Sequence, residues 1–307
     1  MSTTFRQVLA EAKALGTLKV GGWRVLDAIN HLVNVEPRFE TYISQTGLPK
    51  IYTEPVDEGV SHFASLVRAI TSQQVSVAAG RSILDKVVHA LRLKSHAEMQ
   101  PEHVRDAEWG VTMVEEKQKV TINGQVCGLS EAKAKYLRSL SRHFLDEQCL
   151  KGQSLETLPE DELLRKLLVI DGIGLWSAQM FLLFKLQRQD VRAVGDLGVR
   201  RGIATLLGIK EFKKIKEPAY LKLIEAWAPY SSLGCALMWM SDRVCMPAPT
   251  ASPLPPAASI ASSAPAQAVA TKSGSKRKAE GSAGEGGTRD YLKRARRRGQ
   301  AADNGQE

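Results

Sequence analysis

One acidic residue stands out for its surroundings. Asp196 lies in AVGDLGVRRG, residues 193–202, just after a glycine and just before a segment with helical character. A carboxylate so placed has two uses. Its oxygen can accept from a first-turn amide and cap the helix, or its charge can stabilise a cation that forms during a reaction. The pattern supplies one evident carboxylate and no partner acid, so paired acid and base chemistry is not indicated. Twenty-two positions before it, Gly174 ends the run Ile170-Asp171-Gly172-Ile173-Gly174, which separates two apolar-rich segments within residues 163–186. Two glycines in five residues permit a tight hairpin. The second leaves amides uncovered at a helix N-terminus, where N–H groups and the helix dipole favour a phosphate oxygen. Taken alone, GIG between helices reads as a structural turn and Asp196 as a cap.

The elements that must position these residues are mostly helical. Phe63, Leu66, Val67, Ile70, Val77, Ile83, Val87 and Leu91 keep a helical rhythm that the stretch from Thr71 to Ser76 interrupts as a turn. Residues 159–168, PEDELLRKLL, begin with proline and acids and end with bases, matching the helix dipole. Segments 197–207, 219–227 and 231–242 carry the same signature. Phe181 and Phe184 read as core. Only 111–128 differs, where VTI and QVC flank Asn123-Gly124 in the manner of a short hairpin. The expectation is an all-α protein with one small β-hairpin insertion near 113–127.

Composition changes after residue 245. Residues 1–245 read as one folded domain, whereas 246–307 are rich in Pro, Ala and Ser and poor in large apolar side chains, so they cannot offset the entropy of ordering. That tail holds ten Lys and Arg against five acids, which accounts for five of the chain's nine net positive charges. Its runs KRK at 276–278 and KRARRR at 293–298 read as a two-part nuclear localisation signal, or as a solvated basic stretch that adds nonspecific DNA affinity. No apolar run is long enough to span a bilayer, and no secretory leader is evident. Cys127, Cys149, Cys235 and Cys245 are too widely spaced for zinc, an iron-sulfur cluster or a disulfide framework, and read as reduced thiols.

The hairpin, its spacing to Asp196 and the sequence VGDLGVRRG together resemble the helix-hairpin-helix DNA glycosylase superfamily. The similarity is greatest to its alkyladenine branch, the 3-methyladenine DNA glycosylases. Three further blocks carry it: FASLVRAITSQQVSVAAGRSILDKV at 63–87, GLSEAKAKYLRSL at 128–140 and WAPYSSLGCALMW at 227–239. The resemblance implies two helical subdomains with the active-site cleft between them and the hairpin motif at 163–185. It further implies a single chain acting as a monomer on double-stranded DNA that contains damaged bases, upstream of abasic-site repair enzymes.

On that resemblance Asp196 is the catalytic carboxylate, and Trp176, Tyr230 and Met180 line the pocket for the extruded base. Gly172, Gly174 and Ser177 hold DNA phosphate. Gln73, Gln74 and Ser76 belong to the turn that fills the gap left in the duplex, with Gln74 favoured as the wedge and Gln73 as a support for the local backbone. Lyase members of the superfamily carry a lysine two residues after the second hairpin glycine; here that residue is Trp176, which implies simple hydrolysis. No cofactor is expected beyond a structural monovalent cation at hairpin carbonyls 170–174, and no metal held by side chains. Arg200 and Arg201 either reach phosphate or are solvated helix charges. A noncatalytic helix-hairpin-helix DNA-binding module and a glycosylase of different base specificity remain the alternatives.

Overall fold

The computed structural model describes residues 3–18, 21–54, 59–146, 149–215 and 217–246. Among them thirteen α-helices and one three-stranded sheet follow one another in the order α1–α7, β1–β3, α8–α13. The expected tail, from residue 247 onward, lies outside the described residues.

Two groups of helices are packed by their apolar faces. In the first, α1 (Thr3–Leu15), α2 (Val25–Val35) and α3 (Arg38–Thr46) gather with α11 (Leu197–Leu206) and α13 (Ser231–Met238) from the far end of the domain, and α12 (Glu217–Ala226) packs on α13. In the second, α5 (His62–Thr71) is surrounded by α6 (Val77–Ala90), α8 (Glu131–Leu145) and α10 (Leu175–Phe184), with α7 (Pro101–Arg105) on α8 and α9 (Glu160–Leu168) on α10. The short α4 (Lys50–Thr53) lies on the path from one group to the other. Because α10 belongs to the second group and α11 to the first, the segment between them crosses the boundary and delivers Asp196 there.

Local chemistry explains where these helices start. Ser61, Ser76 and Ser130 each accept an amide N–H through their hydroxyls at the heads of α5, α6 and α8. The break between α5 and α6 falls at 72–76, as the sequence rhythm requires. Gly80 lets α6 cross α5 closely, since a Cβ there would lie 2.8 Å from the Ser72 hydroxyl.

The all-α expectation with a small β insertion is borne out, with one enlargement. The expected turn at Asn123-Gly124 joins β2 (Lys117–Ile122) to β3 (Gln125–Val126), with φ of 50° and 78°. A further strand, β1 (Trp109–Val114), pairs with β2 along its whole length. Its turn was hidden in the sequence because Glu115 and Glu116, at φ 49° and 60°, adopt the left-handed conformation that glycine or asparagine normally signals. Asn123 ties the meander to the helices, donating to the Ala90 carbonyl and accepting from the Glu108 amide.

Candidate active site at the helix-hairpin-helix

The hairpin between α9 and α10 is built on Gly172. Its φ is +84°, and a Cβ there would sit 2.2 Å from the Tyr136 ring, so both conformation and space demand glycine. Ile170 and Ile173 anchor the turn in the core, and the Ile173 amide closes it on the Ile170 carbonyl at 3.0 Å. Gly174 has a different task. It is the N-cap of α10 with an ordinary extended φ of −86°, it offers no side-chain cap, and a Cβ there would meet nothing within 4 Å. The first amides of α10 thus lack both an intrahelical acceptor and a side-chain cap, beside a glycine that leaves the space next to it open.

Gln73 braces this hairpin from the neighbouring turn. Its side-chain amide donates to the Gly172 carbonyl at 2.8 Å and to the Ser177 hydroxyl at 3.2 Å. Ser177 itself is only 6% exposed. The same turn is held at its root by Lys133, whose ammonium donates to the Thr71 carbonyl at 2.8 Å, with partial burial drawing its pKa below the usual lysine range. Gln74, Val75 and Ser76 are exposed, and Gln74 has a φ of 56°. Ser76 is occupied in capping α6.

Asp196 is a helix cap, and its carboxylate does more than cap. Oδ1 accepts from the Val199 amide at 2.9 Å and from the Trp239 indole N–H at 2.8 Å. Oδ2 accepts from the Trp176 indole N–H at 2.8 Å. Trp176 stands in the first turn of α10, so one side chain links the open amides of the hairpin to the carboxylate. Trp239 stacks on Phe184, with centroids 5.2 Å apart and planes 16° from parallel. Trp176, Met180 and Phe184, spaced four apart, share one face of α10. Trp176 is 48% and Phe184 44% exposed, with Met180 partly buried between them. The result is a carboxylate at the edge of an open aromatic wall.

The glycines of VGDLGVRRG explain the approach. A Cβ at Gly198 would lie 2.5 Å from Trp239 Cδ1, and one at Gly202 would lie 2.2 Å from the Met238 carbonyl oxygen. Two glycines one turn apart thus let the end of α13 press onto α11 and carry the Trp239 indole to Asp196.

The loop leading to Asp196 is pinned throughout. Gln179 donates to the Arg192 carbonyl at 2.9 Å, and the Ser232 hydroxyl accepts from the Val191 amide at 2.8 Å. Arg192 is buried with Asp190 at 3.1 Å and Glu225 at 3.6 Å. Arg200 donates to the Val194 carbonyl at 2.8 Å and lies over the Tyr220 ring, which gives it a structural task. Arg201 lies over Phe212. Behind the carboxylate, burial pushes the Cys235 thiol up to about 12, with the Asp196 and Asp190 charges adding to the shift, so this side chain serves as an apolar filler.

The structure brings Asp196, Trp176 and Met180 to one place and Gly172, Gln73 and Ser177 to another a few residues away. Tyr230 precedes α13, and its ring packs on Trp23 at 6.1 Å and on His31 at 5.5 Å. Phe184, read as core from the sequence, is an exposed part of the site because α10 is apolar on every face and its pattern does not show which side is covered.

A family model described as HhH-GPD superfamily base excision DNA repair protein matches residues 67–229, which takes in the turn at 72–76, the hairpin and Asp196. The chain belongs to the HhH-GPD superfamily. Among its curated relatives, DNA-3-methyladenine glycosylase 1 of Schizosaccharomyces pombe is 27% identical over 59% of this chain and 73% of its own length. DNA-3-methyladenine glycosylase of Saccharomyces cerevisiae is 26% identical over 69% of this chain and 78% of its own. The crystal structure of a DNA-3-methyladenine glycosidase from Bacillus halodurans aligns with a TM-score of 0.53 at 29% identity, over 69% of this chain and 87% of that one. The S. pombe glycosylase Mag1, solved in complex with abasic DNA, shares the fold with a TM-score of 0.56 at 24% identity, over 71% and 97% of the two chains. These names agree with the alkyladenine-branch resemblance carried by the four sequence blocks.

Proposed function

We propose that this HhH-GPD chain is a monofunctional DNA glycosylase that hydrolyses the N-glycosidic bond of alkylated purines, such as 3-methyladenine and 7-methylguanine, in duplex DNA. The observation that carries the reading is the single side chain, Trp176, that joins the open N-terminal turn of α10 to the Asp196 carboxylate. A phosphate grip and a charge suited to a sugar cation lie within one residue's reach of each other.

A stacked base is out of reach, so the nucleotide must be flipped into the site. Gln74, exposed at the tip of the turn, is the residue to fill the gap, while Gln73 holds that turn against the hairpin. The flipped base lies against Trp176, Met180 and the Phe184–Trp239 stack, with Tyr230 as a further wall of the pocket. Alkylation at N3 or N7 gives the purine a positive charge, which aromatic faces attract. It also lets the base depart as a neutral molecule without being protonated.

The sugar left behind develops oxocarbenium character. A carboxylate oxygen has two acceptor sites. Oδ1 fills both, with Val199 and Trp239, whereas Oδ2 has one partner, Trp176. Oδ2 is therefore the oxygen with a free site to face the sugar and take the proton of the attacking water. Water supplies the new bond to C1′, the glycosidic bond breaks, and an abasic site remains. With an indole where a lysine nucleophile would stand, no Schiff base forms.

The hairpin carbonyls suit a monovalent cation. Ile170 and Gly172 each accept one internal hydrogen bond and keep a second lone pair. Such an ion would brace the turn and strengthen its pull on phosphate. The basic runs at 276–278 and 293–298 support a nuclear location.

The decisive experiment is Asp196→Asn assayed for release of 7-methylguanine from alkylated DNA. Asparagine still caps α11, so folding is retained, but the negative charge is gone and the rate falls by about 10² to 10³-fold. Release at the wild-type rate would remove Asp196 from the chemistry. Borohydride treatment during turnover is expected to trap no protein-DNA adduct, and an adduct would refute hydrolysis without lyase.

A further inference from the structure

A groove of about 650 Å³ runs along α6 from the 72–76 turn. Arg68 of α5, Arg81 and His89 of α6, and Lys94 and His96 beyond it face this groove, and Asp85 is the one acid among its lining residues. Glu98 stands nearby, with its carboxylate on the Lys94 backbone amide at 3.1 Å. Arg68, Arg81 and Lys94 are exposed, and among the described residues none of them forms an ion pair. Several other basic side chains of the body are engaged: Arg105 and Arg165 with aspartates, Arg192 with two acids, Arg200 with a carbonyl. Three uncommitted cations along one depression hold like charges together at a cost that an internal structural role does not offset.

The groove is continuous with the turn. Ser72 and Val77 form its end, and Val77, at 85% exposed, is an apolar lip directly after the Ser76 cap. From Arg81 to His89 the helix advances about 12 Å, the axial span of three to four base pairs at about 3.4 Å each. We infer that this groove carries the DNA sugar-phosphate backbone beside the flipped nucleotide, with Arg68, Arg81 and Lys94 on phosphates and Val77 against a sugar. The inference rests on the DNA-glycosylase reading above and extends the footprint beyond the hairpin. Phosphate contacts of this kind fix position without reading sequence, which suits an enzyme that must test lesions in any context.

The test uses the full chain and a short duplex with an abasic-site analogue, measuring affinity across about 50 to 200 mM salt. The double variant Arg81→Ala/Lys94→Ala is expected to lower the slope of log K against log salt by about 2 and to weaken binding by about tenfold at the low-salt end. Arg6→Ala, an exposed charge on α1, serves as the control and is expected to leave the slope unchanged. A double-variant slope equal to wild type would overturn the inference, as would an equal loss in Arg6→Ala, which would reduce the effect to net charge. The two readings fail separately. A wild-type chain that binds the duplex and releases no alkylated base overturns the glycosylase, whereas an active chain with an unaltered slope in the double variant overturns the groove.

Discussion

The Asp196 loop and the 72–76 turn sit on opposite helix groups, and they are built in contrary ways. Around Asp196 three donors converge on one carboxylate, and the loop leading to it is bound at Val191, Arg192 and Val194 by side chains from three different helices. The 72–76 turn is fixed only at its base, through Gln73, Lys133 and the Ser76 cap, and its tip of Gln74 and Val75 meets solvent. The contrast separates two tasks. A charge meant to meet a developing cation must be oriented before the substrate arrives, whereas a side chain meant to replace a flipped base has its partner in the DNA.

The largest test of the rigid half is Gly198→Ala. The new Cβ would lie 2.5 Å from Trp239 Cδ1 and 3.1 Å from Asp196 Oδ1, and Trp239 must retreat. Misplacement of about 1 Å at a reacting group costs on the order of 10²-fold in rate. Single-turnover excision should fall by that factor while affinity for an abasic duplex holds. Equal activity would mean that the Trp239 contact does not orient the carboxylate.

Trp239→Phe is the milder version, since it keeps a six-membered aromatic ring while removing the indole N–H together with its five-membered ring. A hydrogen bond to a charged group contributes about 1.5 to 3 kcal/mol, and about 1.4 kcal/mol corresponds to tenfold in rate. The expected outcome is a kcat reduced about tenfold with KM unchanged, and a parallel rise in KM would show that the indole binds the base instead of positioning Asp196.

Much of this was legible in the sequence, for reasons that differ by residue. Gly172 and Gly174 stood out because a hairpin between helices leaves a local signature, and the distance to Asp196 repeats a family pattern. The helix break at 72–76 followed from interrupted periodicity. Trp239 and Phe184 were not legible as site residues, because nothing local marks a side chain that reaches a carboxylate 43 positions away. The available signal was indirect. Gly198 and Gly202 weaken α11 by about 1 kcal/mol each relative to alanine, and two such residues one turn apart announce a neighbour packed against the backbone. β1 was missed because two glutamates make its turn.

The smallest effect on folding, and the sharpest test of the exposed half, is expected from Gln74→Gly. Gln74 holds a left-handed conformation, with φ of 56°, that glycine adopts without steric cost. Glycine also gives the unfolded chain more freedom, so the two contributions oppose and stability should change by less than about 0.5 kcal/mol, the range of ordinary surface substitutions. Function should not follow stability. Without the side chain nothing fills the vacated stack, and excision of a lesion flanked by a fluorescent base analogue should show a several-fold slower flipping phase with the chemical step preserved. Normal flipping in the glycine variant would move the wedge to Val75, the other exposed side chain at the tip, and would leave the turn's strained residue without a use in the reaction.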